Sequence, residues 1–417
     1  MKQLRDYQVK CANDSYDILS EHGFVYIAAG VRTGKSSTSM EVCRLFGAKS
    51  VLFLTKLKAI ESIRSDYTDF GFDKHFDLYV INDESMHKIE NPDRFDIVIY
   101  DEKHRHGSIP KPGKATKLFK SLFYDKPQIW LSGTPSPENF SQLYHQFFVT
   151  AYSPWKRYTN FYRWANDYVD KKVKFINSMQ MTDYSKAYED KVMNDIKPYM
   201  VYLTQKEANF SCEINEHILI VDMQQRTYDM CDKLLKDSLI EGKEEVILAD
   251  TGAKMQQKLH QMYSGTIKFE SGNRMVFDTS KADFIKNHFT SKKIAIFYVF
   301  IAERDAIVQS FGADNITSDI EEFNTTNKHI ALQVVSGREG TNLSKADCLV
   351  FYNIAHSATS YWQARDRMTT LDRKSNDVYW VFSRKGIESK IYDVVKKKKS
   401  YTLKHFKKDY GYKKKAT

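Results

Sequence analysis

Short apolar runs along the chain alternate with longer stretches of helical spacing. Phe24-Val25-Tyr26-Ile27-Ala28 is apolar without a break and follows a helical segment opened by Leu4-Arg5-Asp6-Tyr7-Gln8. An unbroken run of that length predicts a strand buried on both faces, as in a parallel sheet. Ser50–Thr55, Ile97–Tyr100 and the stretch from Trp130 to Pro135 repeat the pattern, and Ser36 to Phe46 has the spacing of a helix. Residues 151–210 are rich in aromatic and charged residues and poor in Gly and Pro, which predicts helices and an insertion over about 151–200. Pro198 and the alternation in Met200–Leu203 mark a return to the core, and a lobe boundary is expected near residue 210. Strand patterns then restart at Glu216–Asp222, Lys293–Phe300, Ile330–Val335 and Cys348–Tyr352, with a helical stretch over 223–262. Strands alternating with helices predict an α/β fold of two tandem parallel-sheet lobes, 1–210 and 211–395, followed by a tail, 396–417.

Composition changes this picture in two places. The net charge is +10, yet residues 396–417 hold ten Lys and one Asp, so +9 lies in the tail and about +1 remains for the body. Tyr401, Phe406, Tyr410 and Tyr412 interleave those lysines. Lysine suits phosphates and aromatic rings suit base stacking, so Lys397, Lys398, Lys404 and Lys407 are candidate nucleic-acid contacts. A solvated, disordered tail is the plainer alternative. Cysteines at 11, 43, 212, 231 and 348 are odd in number and form no CxxC pair. That argues for a reducing compartment and against a zinc site. The polar N-terminus carries no secretory pattern, and the longest apolar run, Ile294 to Ala302, is too short to span a bilayer. A soluble, cytoplasmic, monomeric protein without membrane contact is expected.

The candidate chemistry starts at the end of the first strand. Ala29-Gly30-Val31-Arg32-Thr33-Gly34-Lys35-Ser36, with Ser37 behind it, joins that strand to a helix. The free N–H groups and dipole of a helix N-terminus attract an anion, so the turn reads as a phosphate cradle. Lys35 would reach β- and γ-phosphates and Ser36 would hold Mg²⁺. Upstream, the amide of Gln8 has the donor and acceptor needed to pair with adenine. Ile97–Tyr100 delivers Asp101-Glu102 at its end, where adjacent buried carboxylates need compensation. Mg²⁺ beside a triphosphate supplies it, with Asp101 holding the ion, Glu102 polarising the attacking water and His104 near the γ-phosphate. Thr55 and Lys56 end a strand where ligands of open parallel sheets bind, and are candidate nucleic-acid contacts. Late in the chain, Gly337 and Gly340 permit a tight loop. Gln363, Arg367 and Thr370 lie at helical spacing with Arg365 and Arg373 nearby, a guanidinium cluster suited to phosphate charge.

Taken in order, these blocks resemble the superfamily II helicases and translocases over about residues 4 to 385. Gln8 falls in the upstream glutamine motif and Ala29–Ser36 in motif I, where Ala is frequent at the first position. Asp101-Glu102-Lys103-His104 is similar to the DExH form of motif II. Ser132-Gly133-Thr134 stands for motif III, Ser336–Leu343 with Gly340 for motif V, and Gln363–Arg373 for motif VI. The Swi/Snf-type branch looks closest, through LSGTPSPEN at 131–139, IKPYMVYLTQKEA at 196–208, and EGTNLSKAD, FYN and YWQARDR further on. In compactness the chain is similar to helicases that bacteriophages encode, which would place it in a bacterial cytosol.

The resemblance implies two RecA-like (P-loop) lobes with ATP in a cleft between them and nucleic acid across the top of both. One position departs. Motif VI usually carries two arginines three residues apart; Arg367 matches the first, but Thr370 occupies the second, leaving Arg365 or Arg373 as substitutes. The expectation is an ATP- and Mg²⁺-dependent DNA helicase or translocase, with DNA preferred over RNA. The alternatives are an RNA helicase of the same architecture, or a nucleic-acid-binding annealing or assembly protein with a vestigial ATPase.

Overall fold

The computed structural model describes residues 2–30, 33–133, 135, 139–176, 179–203, 207–208, 213–242, 244–334, 343–365, 368, 373 and 375–397. Side chains at 174–176, 179–181, 358–359 and 362–363 lie outside this set. The chain divides into two compact units, Met1–Phe210 and Ser211–Thr417.

The first unit is built on a six-stranded sheet. Its strands are β1 (Phe24–Ala29), β2 (Ser50–Thr55), β3 (Asp77–Asn82), β4 (Ile97–Tyr100), β5 (Gln128–Ser132) and, after β6 (Lys172–Ile176) and β7 (Met179–Asp183), β8 (Met200–Leu203). The order across the sheet is β3-β2-β4-β5-β1-β8, with every pairing parallel. Helices α1 (Asp6–His22), α2 (Lys35–Phe46), α3 (Ile60–Asp69), α4 (Lys114–Phe123) and α5 (Leu143–Phe147) accompany it. Parallel strands need crossovers, and helices covering the faces explain why β4 and β5 are buried at every residue. The core beneath is aromatic: Phe24 lies 4.6 Å from Trp130 and 5.6 Å from Phe147, ring centre to ring centre. Each such buried ring contributes about 1.5–3 kcal/mol.

The stretch read as a helical insertion is only partly helical. Helices α6 (Phe161–Tyr168) and α7 (Glu189–Ile196) flank the antiparallel hairpin β6–β7. Lys172-Val173-Lys174-Phe175 alternates polar with apolar at period two, and two residues separate the strands. That is a hairpin signal which overall charge content conceals. Pro198 sits in a single 3₁₀ turn, and β8 returns beside β1.

The second unit contains β9 (Glu213–Val221), α8 (Gln225–Asp237), β10 (Leu239–Glu241), β11 (Val246–Leu248), α9 (Gly252–Met262), β12 (Thr266–Lys268), β13 (Arg274–Val276), α10 (Ser280–His288), β14 (Ile294–Tyr298), α11 (Ile301–Phe311), β15 (Ile316–Thr317), α12 (Ile320–Thr325), β16 (His329–Gln333), β17 (Cys348–Phe351), α13 (Ala358–Arg365), β18 (Ser375–Ser383) and α14 (Glu388–Val395). Six of the strands form a second parallel sheet, ordered β15-β16-β14-β17-β18-β9. The stretch 223–262, expected to be helical, is interrupted by the hairpin β10–β11. Its strands carry β-branched Ile240, Val246 and Ile247, with Gly242 at the reversal. The fold is therefore α/β with two six-stranded parallel sheets. Among the described residues, no helix is long and apolar enough to cross a membrane.

Candidate functional site

In the first unit, the C-terminal ends of β1, β5, β4 and β2 are neighbours, and the sequence candidates hang from them. The chain leaves β1 through α2 and returns three strands further across, at β2, beyond β5 and β4. Open parallel sheets bind ligands at the carboxyl ends of strands beside such a crossing.

The turn after β1 is held from several sides. Gly30 donates its N–H to the Leu203 carbonyl at 2.9 Å, and its own carbonyl accepts the Thr33 hydroxyl at 2.9 Å. Gly34 caps α2 at φ 80°, ψ 35°, the left-handed region that glycine enters at least cost. A Cβ at this position would lie 2.1 Å from Gln8 Nε2. Gln8 itself is buried and pinned. Its Oε1 accepts the Arg5 N–H at 3.0 Å and its Nε2 donates to the Gly34 carbonyl at 3.5 Å. Both ends of the amide thus brace the turn against α1, where the sequence suggested an adenine reader. Ser37 and Thr38 hydroxyls donate to the same carbonyl at 3.3 and 3.0 Å. Lys35 Nζ lies across the turn, 3.2 Å from the Ala29 carbonyl and 3.4 Å from that of Gly30. Ser36 stands in the first turn of α2, where leading N–H groups lack intrahelical acceptors.

Asp101 follows β4 and is partly buried. Its Oδ2 accepts the Thr55 hydroxyl at 3.0 Å and its Oδ1 accepts the Glu102 backbone N–H at 3.0 Å. Burial pushes its carboxyl up to about 6 and the charge of Glu102 adds to this, while Lys35 and the two hydrogen bonds pull it back. Glu102 adopts φ 52°, ψ 46°, unusual for a residue with a side chain. Its Oε2 lies 3.1 Å from His104 Nδ1, which is also 2.9 Å from the Ser132 hydroxyl at the end of β5. Three strand ends are thereby tied, by Thr55 from β2, Asp101 and Glu102 from β4 and Ser132 from β5, and the charge of Lys35 in the turn after β1 acts on Asp101. Asp101 and Ser36 offer oxygen atoms, the kind of ligand a hard divalent cation such as Mg²⁺ prefers. The cost of burying Asp101 next to Glu102 is the kind that a cation relieves.

Thr55 is 2 % exposed and spends its hydroxyl on Asp101, so it belongs to this cluster and not to a nucleic-acid surface. Lys56 follows at the edge of the 3₁₀ turn Leu57–Ala59. Between the carboxylates and His104 sits Lys103, fully buried, which the sequence reading passed over. Its ammonium lies 4.9, 4.1 and 4.5 Å from the ring centres of Tyr100, Phe119 and Trp130. A charged residue on the inward side of an apolar strand-to-turn step was the only available signal.

In the second unit, Arg365 and Arg373 are both engaged. Arg365 pairs with Glu216 at 2.6 Å, and the same carboxylate accepts the hydroxyls of Tyr361 and Tyr392 and the Trp380 indole N–H. Burial alone would raise the Glu216 carboxyl; the two tyrosines and Arg365 outweigh it and hold the group below its usual value. Arg373 donates to the carbonyls of Ser344, Ala346 and Asp347 at 3.2, 2.8 and 2.7 Å. Each guanidinium therefore has a structural task inside its own unit. Lys397 lies exposed just past α14. Val31, Arg32, Gly340, Arg367, Lys398, Lys404 and Lys407 lie outside the described residues, as do Thr134 and Thr370. Gln363 lies in α13, with its side chain outside the described set. Among the described residues, no group of three or more His, Cys, Asp or Glu is gathered as for a metal ion.

The chain matches no protein-family model and no curated protein at a significant level.

Proposed function

We propose that the chain is a nucleic-acid-dependent ATPase, a DNA helicase or translocase of the superfamily II type. Two RecA-like lobes that share one ATP belong to the proposal. The observation that carries it is the partly buried pair Asp101-Glu102 at the end of β4, with Lys35 of the neighbouring turn close enough to pull the Asp101 carboxyl down.

In this proposal the turn 29–36 holds the β- and γ-phosphates through backbone N–H groups, and Lys35 exchanges its carbonyl partners for phosphate oxygens. Ser36 and Asp101 would hold Mg²⁺, which screens phosphate charge and orients the triphosphate when bound. Thr55 keeps Asp101 ionised and aimed. Glu102 accepts a proton from the attacking water. His104, in contact with both Glu102 and Ser132, links the reacting end to the strand that leads into the 133–139 loop.

The test is steady-state ATP hydrolysis by the full chain with duplex DNA, single-stranded DNA and RNA. Stimulation by DNA, lost in Lys35→Ala and Glu102→Gln proteins that remain folded, is the expected result. Full turnover in Glu102→Gln would overturn the assignment, and stimulation by RNA alone would select the RNA helicase. A second reading, a nucleic-acid-binding protein with a vestigial ATPase, is favoured by the engagement of Arg365 and Arg373 within their own unit and by Thr370. An arginine finger is worth roughly 10³–10⁵ in rate. A rate unmoved by any nucleic acid would select this second reading.

A further inference from the structure

We propose that the first unit carries a second site, distinct from the phosphate turn, that takes a nucleotide unit: an aromatic base with its 5′-phosphate. The site is an open-mouthed hollow between α4, α5 and residues 150–159. Its lining shares no residue with the phosphate turn or with Asp101 and Glu102. Helix α4 ends at Phe123, just before β5 begins at Gln128, whereas the phosphate cluster hangs from strand C-termini.

Three features of the lining point to one ligand chemistry. Its walls are aromatic: Tyr144, Phe148, Trp155 and Tyr158, with Tyr124 beside them. Flat apolar walls accept a planar ring, and bases stack on aromatic side chains whatever their sequence. Two ammonium groups, Lys120 and Lys156, line the same hollow, and no carboxylate does. Lys120 Nζ sits 3.4 Å from the centre of the Phe148 ring, and among the described residues neither lysine is paired with a carboxylate. The third feature is a pair of hydroxyls, Thr150 and Ser153. Each accepts a backbone N–H, from Tyr152 at 3.3 Å and Trp155 at 3.2 Å, so each keeps its proton to donate. Two ammonium groups and two hydroxyls free to donate, with no carboxylate beside them, complement an aromatic anion, and four donors suit a phosphate better than a single carboxylate.

Such a unit has two sources, a free nucleotide or a residue of a polynucleotide strand. Titration calorimetry on the full chain, in a Lys35→Ala background that silences the phosphate turn, separates them. The probes are thymidine 5′-monophosphate and a short oligothymidylate. Binding of either is expected to persist in Lys35→Ala and to weaken by about tenfold or more when Lys120→Met and Lys156→Met are added. Tighter binding of the oligomer identifies a strand as the source, and equal binding per site identifies the free nucleotide. A 5-iododeoxyuridine oligomer should photo-crosslink within residues 144–158. Absence of binding by both probes at millimolar concentration, an unchanged affinity in the lysine variant, or crosslinks confined to other segments would each overturn the proposal. Binding of an acidic aromatic peptide in preference to both probes would overturn it as well. Because Lys35 is replaced in every arm, the outcome does not depend on the ATPase assignment.

Discussion

The Thr55 hydroxyl donates to Asp101 at 3.0 Å, joining the end of β2 to the end of β4 across the sheet. The bond favours the charged carboxylate in a place where burial favours the neutral acid. Asp101 is thus drawn toward its charged form by a hydroxyl that the chain supplies from a different strand.

Thr55→Val removes the hydroxyl while keeping the shape of the side chain. A hydrogen bond to a charged acceptor is worth about 1.5–3 kcal/mol, so the Asp101 carboxyl should move further up and ATP turnover near neutral pH should fall about tenfold. A pH–rate profile checks this: the acid limb should shift to higher pH, with thermal unfolding little changed. An unshifted limb would show that Thr55 does not govern Asp101.

Asp101→Asn should trade activity for stability. The carboxyl is raised from 3.8 to about 6 in the folded chain. Between those values the folded state binds more protons than the unfolded one, so stability is full below about pH 4 and is lost as pH rises through about 6. The neutral amide has no such loss. The variant should be inactive yet more stable at pH 7, by on the order of 2–3 kcal/mol, and its stability should be flatter between pH 4 and 6. Urea unfolding at several pH values measures both.

Lys103→Met should also stabilise the fold. Burial pulls the Lys103 ammonium well below its ordinary range, and among the described residues its Nζ has no hydrogen-bond partner. The folded chain holds that proton less tightly than the unfolded chain does. Wild-type stability should therefore rise with pH through the alkaline range up to about 10.5, and the methionine protein should lack this rise. A gain of about 1–3 kcal/mol at pH 7 is expected. A loss of that size would mean that the ammonium over the Tyr100, Phe119 and Trp130 rings is a net attraction.

Glu216→Gln strips the charge from the carboxylate that gathers Arg365, Tyr361, Tyr392 and Trp380. Removing one partner of a largely buried pair leaves the other uncompensated, and a cost of about 2–4 kcal/mol is expected in denaturant unfolding followed by tryptophan fluorescence. Because the folded carboxyl is held low, this contribution is present above the usual carboxylate range and lost as pH falls through the lowered value. An Arg365→Lys protein of unchanged stability but abolished turnover would instead make Arg365 a finger.

Local pattern alone determined the strands that carry the candidate site. Phe24 to Ala29, Ser50 to Thr55 and Ile97 to Tyr100 are apolar runs because both faces of a central parallel strand are covered, and that requirement is written residue by residue. The same pattern fixed which polar residues, Lys35 and Asp101-Glu102, emerge at strand ends. Hairpins β6–β7 and β10–β11 were less legible, since half-exposed strands of three to five residues carry too few alternations to stand out from charged helix.

Partnership was decided by tertiary structure. Nothing in the order of residues says that Thr55 faces Asp101 and not solvent, because that depends on β2 and β4 lying side by side. Gln8 braces Gly34, 26 residues away, only because α1 packs against α2. Arg365 is bound to Glu216, 149 residues earlier, because β9 joins the sheet next to β18. Hydrogen bonds and ion pairs act over a few ångströms, and sequence separation carries no information at that range until the sheet order is known.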